Sequence, residues 1–310
     1  MESIKVFAPA TVANVACGYD VLGFALEGIG DELIITKTES PGLTITDIHG
    51  SNHLSKKPEE NVITVAAQAL IDSLTKKPDF GLQFELTKKV QPGSGLGSSA
   101  SSSAAAVFGV NQILGEPFST TELVRFAMEG EKLASGVPHA DNVAPSLLGG
   151  FVLIRSYNPL DVIPLQFPDE LCATVVHPQI EVKTSDAKKM LRQQIELRDA
   201  IVQWGNVAGL VSGLAQGDYG LIGRSLQDVI AEPIRGILIP GFAEAKQKSK
   251  EAGALGASIS GSGPSIFALS QGMKNAQQVA EAFRKLFEDI GLESYVHVSP
   301  INAKGTQIIK

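Results

Sequence analysis

Gln91-Pro92-Gly93-Ser94-Gly95-Leu96-Gly97-Ser98-Ser99-Ala100 is the stretch on which the reading of this chain turns. Three glycines alternate with small residues, and a helical run begins where they stop. Glycine reaches dihedrals closed to other residues and lets a second backbone come close. Successive N–H groups in such a turn form a concave anion site. The start of the following helix adds unpaired N–H groups and a partial positive charge. Together they make a cradle for phosphates. Ser98 and Ser99 fall in the first turn, where a hydroxyl can reach phosphate or Mg2+. A flexible Ser/Gly connector is the plain alternative, and Ser101-Ser102-Ser103 favours it. Against it, the segment runs straight into Ala104-Ala-Ala-Val-Phe-Gly-Val-Asn-Gln-Ile-Leu114, which packs as a helix. The common nucleotide P-loop is excluded, because no Lys stands beside the serines. The dinucleotide pattern fails on spacing and on its later acid.

Upstream of the loop, β-branched and apolar runs separated by Gly and Pro predict strands over 4–8, 33–38, 43–48 and 82–86. Between them, helical spacing predicts a helix over 62–74. Downstream, helices are expected over 99–114 and over 121–135, the second opened by Ser119, Thr120 and Thr121. Strands follow over 151–154, 162–165 and 173–177. Helices follow over 185–191, 198–216, 219–229 and 242–252, then strands over 257–260 and 265–269 and a helix over 276–290. The mixed order, without regular βαβ alternation, predicts an α+β fold. At 310 residues the chain exceeds what one core usually absorbs, so two domains are expected, 1–165 and 166–310.

Composition bounds the function. Apolar residues make up 44% and charged residues 19%, an ordinary globular balance. The net charge of −7, without a basic cluster, argues against nucleic acid as a partner. Two distant cysteines, Cys17 and Cys172, form neither a disulfide framework nor a zinc spacing. The opening MESIKVFAPATVANV lacks a signal-peptide apolar core, and no apolar run is long enough to span a bilayer. A cytoplasmic protein without membrane partners is the expectation.

Four further clusters bear on the chemistry. Glu131, His139, Asp141 and Asn142 lie in Glu131-Lys-Leu-Ala-Ser-Gly-Val-Pro-His-Ala-Asp-Asn-Val-Ala-Pro145. Glu131 suits Mg2+, which takes few protein ligands and keeps phosphates and water. His139 and Asn142 sit on a Gly/Pro-rich turn, a common place for substrate contacts. A loop and a solvated helix end are the plain alternative, and for His139 and Glu131 taken alone it is the favoured one. Asn14 and Asp20 stand in the apolar run Pro9-Ala-Thr-Val-Ala-Asn14-Val-Ala-Cys-Gly-Tyr19-Asp20-Val-Leu-Gly-Phe24. Such polar groups need partners if buried, and a carboxylate there can meet an ammonium group; turn chemistry is the alternative. Arg235, in Glu232-Pro-Ile-Arg235, can clamp a carboxylate or form a surface ion pair of small consequence. Gly256-Ala-Ser-Ile-Ser-Gly-Ser-Gly-Pro-Ser265 is either a plain hairpin or a loop that closes on the nucleotide loop.

Taken together, these clusters resemble the GHMP kinases, named for galactokinase, homoserine kinase, mevalonate kinase and phosphomevalonate kinase. Three motifs stand in the family's order: Pro9–Asn14, Pro92–Ala100 and Ser260–Pro264. The resemblance implies a ribosomal protein S5 domain 2-like N-terminal domain that binds ATP and a ferredoxin-like C-terminal domain. The runs Gly18–Phe24, Pro138–Pro145, Glu232–Arg235 and Ile239-Pro-Gly241 are most similar to the branch acting on homoserine. Many other members carry a catalytic Asp near Asn142, whereas this branch has Asn. The resemblance implies that Pro92, Gly93, Ser94, Gly95, Leu96, Gly97, Ser98 and Ser99 bind the ATP phosphates, with Asn61 near the adenine. It implies that Ser98 or Ser99 and Glu131 hold Mg2+, and that Asn142, Glu131 and Ser99 serve catalysis. Asn14, Asp20, His139, Asn142, Lys188 and Arg235 would surround L-homoserine, in a homodimeric enzyme of threonine biosynthesis. Lys188 departs from the usual Arg and loses its bidentate fork. A GHMP kinase for shikimate or mevalonate, and a non-catalytic nucleotide binder on the same fold, are the competing readings.

Overall fold

The computed structural model describes residues 2–180, 190–192 and 194–310. Its first sheet begins with β1 (Ser3–Ala13), β2 (Leu22–Thr38), β3 (Leu43–His49) and β4 (Gly81–Thr87). In β1, Ile4, Val6 and Ala8 turn inward with the period of two that a half-buried strand needs. Antiparallel pairing of β2 with β4 sets Leu33 beside Leu86 and Ile35 beside Phe84, all buried. β3 runs parallel to β4, and α1 (Val62–Asp72) makes the crossover between them.

Two further helices complete the layer, α2 (Ser98–Ile113) and α3 (Thr120–Ser135). Serines, alanines and glycine along α2 allow a close approach to the sheet; a Cβ at Gly109 would stand 2.5 Å from Ile35 Cδ1. The start of α3 is set by a capping box between Ser119 and Glu122, and its end by Gly136 in the left-handed region. The six-residue α4 (Val143–Leu148) was not anticipated. A hairpin of β5 (Phe151–Tyr157) and β6 (Leu160–Leu165) pairs with the start of β2.

The second sheet has the order β10-β7-β9-β8, antiparallel throughout. Its strands are β7 (Leu171–Pro178), β8 (Ala254–Ile259), β9 (Ile266–Gln271) and β10 (Ser294–Pro300). Between β7 and β8 stand α5 (Leu197–Gln216), α6 (Tyr219–Ser225), α7 (Glu232–Arg235) and α8 (Phe242–Glu251); α9 (Gly272–Asp289) joins β9 to β10. This is the ferredoxin-like plan of two interleaved βαβ units. The last strand, β11 (Gln307–Ile309), returns to pair with β1, so both ends of the chain build the first sheet. The sheets share one core: Phe24 lies 4.8 Å from Phe151 and 5.8 Å from Phe267, ring centre to ring centre.

Two sequence expectations need adjustment. The helix over 219–229 stops at Ser225; Asp228 then accepts the N–H groups of Ile230, Ala231 and Glu232, a turn that leads into α7. β10 and β11 went unread, since Ser294–Pro300 mixes His, Ser and Tyr into its alternation and β11 has only three residues. The helix expected over 185–191 falls, but for residues 190 and 191, outside the described residues.

Candidate active site

The glycine loop holds Gly93, Gly95 and Gly97 at φ of 76°, 78° and 66°, and Gly97 caps α2. Each carries a different constraint. A Cβ at Gly93 would meet nothing within 4 Å. At Gly95 it would lie 2.6 Å from the Ser260 carbonyl oxygen, and at Gly97 2.1 Å from Thr11 Oγ1. Donors from other elements occupy the loop's carbonyls. Ser265 Oγ donates to Ser94 O at 2.6 Å, Ser260 Oγ to Gly95 O at 2.7 Å, and Thr11 N to Leu96 O at 3.1 Å. With these oxygens taken, the loop and the first turn of α2 offer N–H groups, as an anion cradle requires. The second glycine cluster is thus both the β8–β9 hairpin and the brace of the first.

Beneath the loop, Lys88 and Asp31 form a buried ion pair. Lys88 Nζ also donates to Ser98 O at 2.6 Å and Ser102 Oγ at 2.9 Å. Asp31 Oδ1 accepts the N–H groups of Lys89 and Val90, each at 3.0 Å. The pair locks the end of β4 to the start of α2.

A cleft of about 310 Å³ opens over these elements. It is lined by Pro92, Gly93, Gly95, Gly97, Ser98 and Ser99 from the loop, and by Glu131 from α3. Asn14, Asp20, His139, Asn142 and Arg235 line it too. Ser94 and Leu96 sit buried behind the loop. Asn61 does not line the cleft: its Oδ1 accepts Ile63 N–H at the start of α1 and its Nδ2 donates to Ser55 O at 2.7 Å. The neighbouring Leu54 and Val62 form that wall. Lys188 lies outside the described residues.

The half of the cleft facing the loop is built on strained backbone. Asn14, Val15, Ala16 and Asp20 all have positive φ, between 38° and 70°. Asn14 holds the run by donating to Gly261 O at 2.8 Å and accepting Asp20 N–H at 3.0 Å. Buried Arg235 donates to Gly261 O and to the Tyr19 hydroxyl, with its guanidinium 5.1 Å from the Tyr19 ring centre. Burial first, then Asp20, raises the Tyr19 pKa against the opposing charge of Arg235. Asp20 Oδ1 stands 3.4 Å from His139 Nδ1, and buried Asp141 lines the same space. Asn142 Oδ1 accepts the Thr11 hydroxyl at 2.8 Å.

A buried guanidinium and two carboxylates, those of Asp20 and Asp141, thus line the cleft beside the glycine loop. For Mg2+, the donor set fits: the Glu131 carboxylate and the Ser99 hydroxyl share the cleft at a helix start. Ser98 is less suited, because its hydroxyl donates to Val90 O at 2.7 Å. Among the described residues no group of three His, Cys, Asp or Glu is placed to hold a metal ion. No helix among the described residues is long and apolar enough to cross a membrane.

Thr11, Asp31, Lys88 and Tyr19 are not singled out by the sequence as site residues, and Asp141 is named there in its cluster without a role. Parity was the missed signal for two of them. Asp31 shares an inward face with Leu33 and Ile35, and Lys88 shares one with Phe84 and Leu86.

This fold, a braced glycine loop opening helix α2 beside a polar acceptor cleft, defines a small-molecule kinase. Residues 61–150 match the family described as "GHMP kinases N terminal domain" and residues 210–289 match "GHMP kinases C terminal". The homoserine kinase of Chlorobium phaeobacteroides (strain BS1) is 47% identical over the whole of both chains. The crystal structure of homoserine kinase from Cytophaga hutchinsonii superposes with a TM-score of 0.96 at 52% identity, covering 100% of this chain and 98% of that one. L. major mevalonate kinase, at 20% identity and TM-score 0.66, shares the fold over 96% of both chains. The chain belongs to the GHMP kinase family, and within it to the homoserine kinases.

Proposed function

We propose that the protein transfers the γ-phosphoryl group of ATP to the side-chain hydroxyl of L-homoserine, giving O-phospho-L-homoserine for threonine biosynthesis. The observation that carries this is the placement of Arg235 and Asp20 in one cleft with the glycine loop. A guanidinium suits the acceptor's carboxylate and a carboxylate suits its ammonium group. Mevalonate and shikimate offer no ammonium group to Asp20, which favours the amino-alcohol over either rival.

Phosphoryl transfer asks mainly for positioning and charge stabilisation. The loop N–H groups and the start of α2 bind the phosphates. Asn14 and His139 line the acceptor space with Asp20, and Asn142 donates from its Nδ2 to the reacting hydroxyl oxygen or a phosphate oxygen. With its Oδ1 already accepting from Thr11, Asn142 serves as a donor; the hydroxyl proton passes to a phosphate oxygen. Alignment of this kind supplies up to about 7–11 kcal/mol. Glu131 and Ser99 would hold Mg2+, which when bound neutralises charge on the β- and γ-phosphates. Residues 1–165 would form the nucleotide-binding domain of a cytoplasmic homodimer.

A coupled ADP-release assay against L-homoserine, mevalonate and shikimate tests the reading. Turnover of homoserine alone is expected. ATP binding without turnover of any alcohol would favour a non-catalytic nucleotide binder instead.

A further inference from the structure

Tyr157 ends β5, outside every motif and outside the residues that line the cleft. Its hydroxyl oxygen nevertheless joins two walls of the acceptor space. It donates to the Asp20 carbonyl at 2.8 Å and accepts the Ala140 N–H at 3.3 Å. Ala140 directly follows His139, and the Asp20–His139 contact lies between these two pinned backbones. Asp20, at φ 59°, occupies a region costly for a residue with a side chain. Asn14 holds its N–H and Tyr157 its carbonyl, so both peptide groups that set the carboxylate's direction are tied. A tyrosine hydroxyl keeps its proton at neutral pH, and desolvation of the Tyr157 hydroxyl, with Asp141 nearby, raises its pKa further.

We infer that Tyr157 is a positioning residue for acceptor recognition: through one oxygen it fixes the main chain at Asp20 and Ala140 and so aims the Asp20 carboxylate at the acceptor's ammonium group. This rests on the proposed amino-alcohol acceptor. Tyr157 acts through Asp20, so its effect depends on the Asp20 side chain and leaves the nucleotide half of the cleft alone. A strap that merely held the fold together would spread its effect over both substrates and would not care what stands at position 20.

The test uses Tyr157→Phe, Asp20→Ala and the double variant, each with a thermal unfolding control. Tyr157→Phe, which removes both hydrogen bonds, is expected to raise the KM for L-homoserine at least about five- to tenfold, with KM for ATP within about twofold. In the Asp20→Ala background the same change is expected to alter kcat/KM for homoserine by less than about twofold. The inference is overturned if the homoserine KM of Tyr157→Phe stays within about twofold of the parent, if the ATP KM rises in parallel, or if the Asp20→Ala background shows the full loss. A parent enzyme that does not turn over homoserine overturns the acceptor reading itself, and this inference with it, before any variant is compared.

Discussion

The Thr11 hydroxyl donates to Asn142 Oδ1 across 2.8 Å, from the first strand to the turn that opens α4. The contact fixes which end of the carboxamide is committed to the protein, and leaves the Nδ2 donors for the cleft that Asn142 lines. Gly97 closes over the pair, with room for no side chain between itself and either atom.

Thr11→Val removes the donor and keeps the shape. Asn142 then loses its orienting bond and can present oxygen to the reacting atoms. We expect kcat to fall about ten- to a hundredfold, toward the loss of one preorganised donor, with KM for ATP changed less than about threefold. Thr11→Ser keeps the hydroxyl and should retain most of the rate. Steady-state kinetics with each substrate varied in turn reads both effects, and an unchanged kcat in Thr11→Val would remove the orienting role.

Gly93 and Gly97 share a positive φ yet face different surroundings, so the same substitution should behave differently. Gly93→Ala adds a Cβ to open space and carries only the backbone strain, about 1 kcal/mol. Gly97→Ala adds the same strain plus a Cβ 2.1 Å from Thr11 Oγ1. A loss of about 2–3 kcal/mol in urea unfolding and more than about tenfold in ATP affinity is expected for Gly97→Ala alone. Equal losses for the two variants would count against this account of the loop.

Lys88→Met leaves the Asp31 carboxylate buried without its cation. Such a break typically costs about 3–5 kcal/mol, which urea unfolding would register as a large drop in midpoint. Lys88→Met with Asp31→Leu should recover part of that loss. The recovery stays incomplete because the N–H groups of Lys89 and Val90 lose the acceptor they share on Asp31. A double variant less stable than Lys88→Met would contradict the burial argument.

How much of this was readable beforehand follows from what is local. The loop, α2 and the Ser119 cap announce themselves through neighbouring residues, because glycine dihedrals, helical spacing and capping are short-range effects. Asn14, Asp20 and Arg235 were singled out by type and company. Their meeting in one cleft depends on Gly261 O, which accepts from both Asn14 and Arg235 and lies far from either in sequence. Tyr157 gave no local sign, since its role is two hydrogen bonds to main chain 137 and 17 residues away. Asn61 shows the converse. Its side chain serves the start of α1, a role its place before a helical run announces.

The His177 imidazole should give the fold an acid-sensitive arm. Ser265 has one hydroxyl hydrogen, and that goes to Ser94 O. The 3.2 Å contact between Ser265 Oγ and His177 Nδ1 therefore needs the hydrogen on Nδ1, which one neutral tautomer and the protonated ring both carry, so the acid sensitivity comes from burial and not from this contact. Burial holds the pKa below its ordinary 6.5. As pH falls through that value, the unfolded chain takes the proton before the folded one does. The contribution of neutral His177 to stability is thus complete above about pH 6.5 and is lost as pH drops from there through the lower folded value. His177→Gln stays neutral throughout and keeps a donor for Ser265. Its unfolding free energy, plotted from pH 7 to pH 5, should be flatter than the parent's by up to about 1.4 kcal/mol per pH unit, the slope of one proton. Parallel curves would mean that His177 takes its proton equally well folded and unfolded.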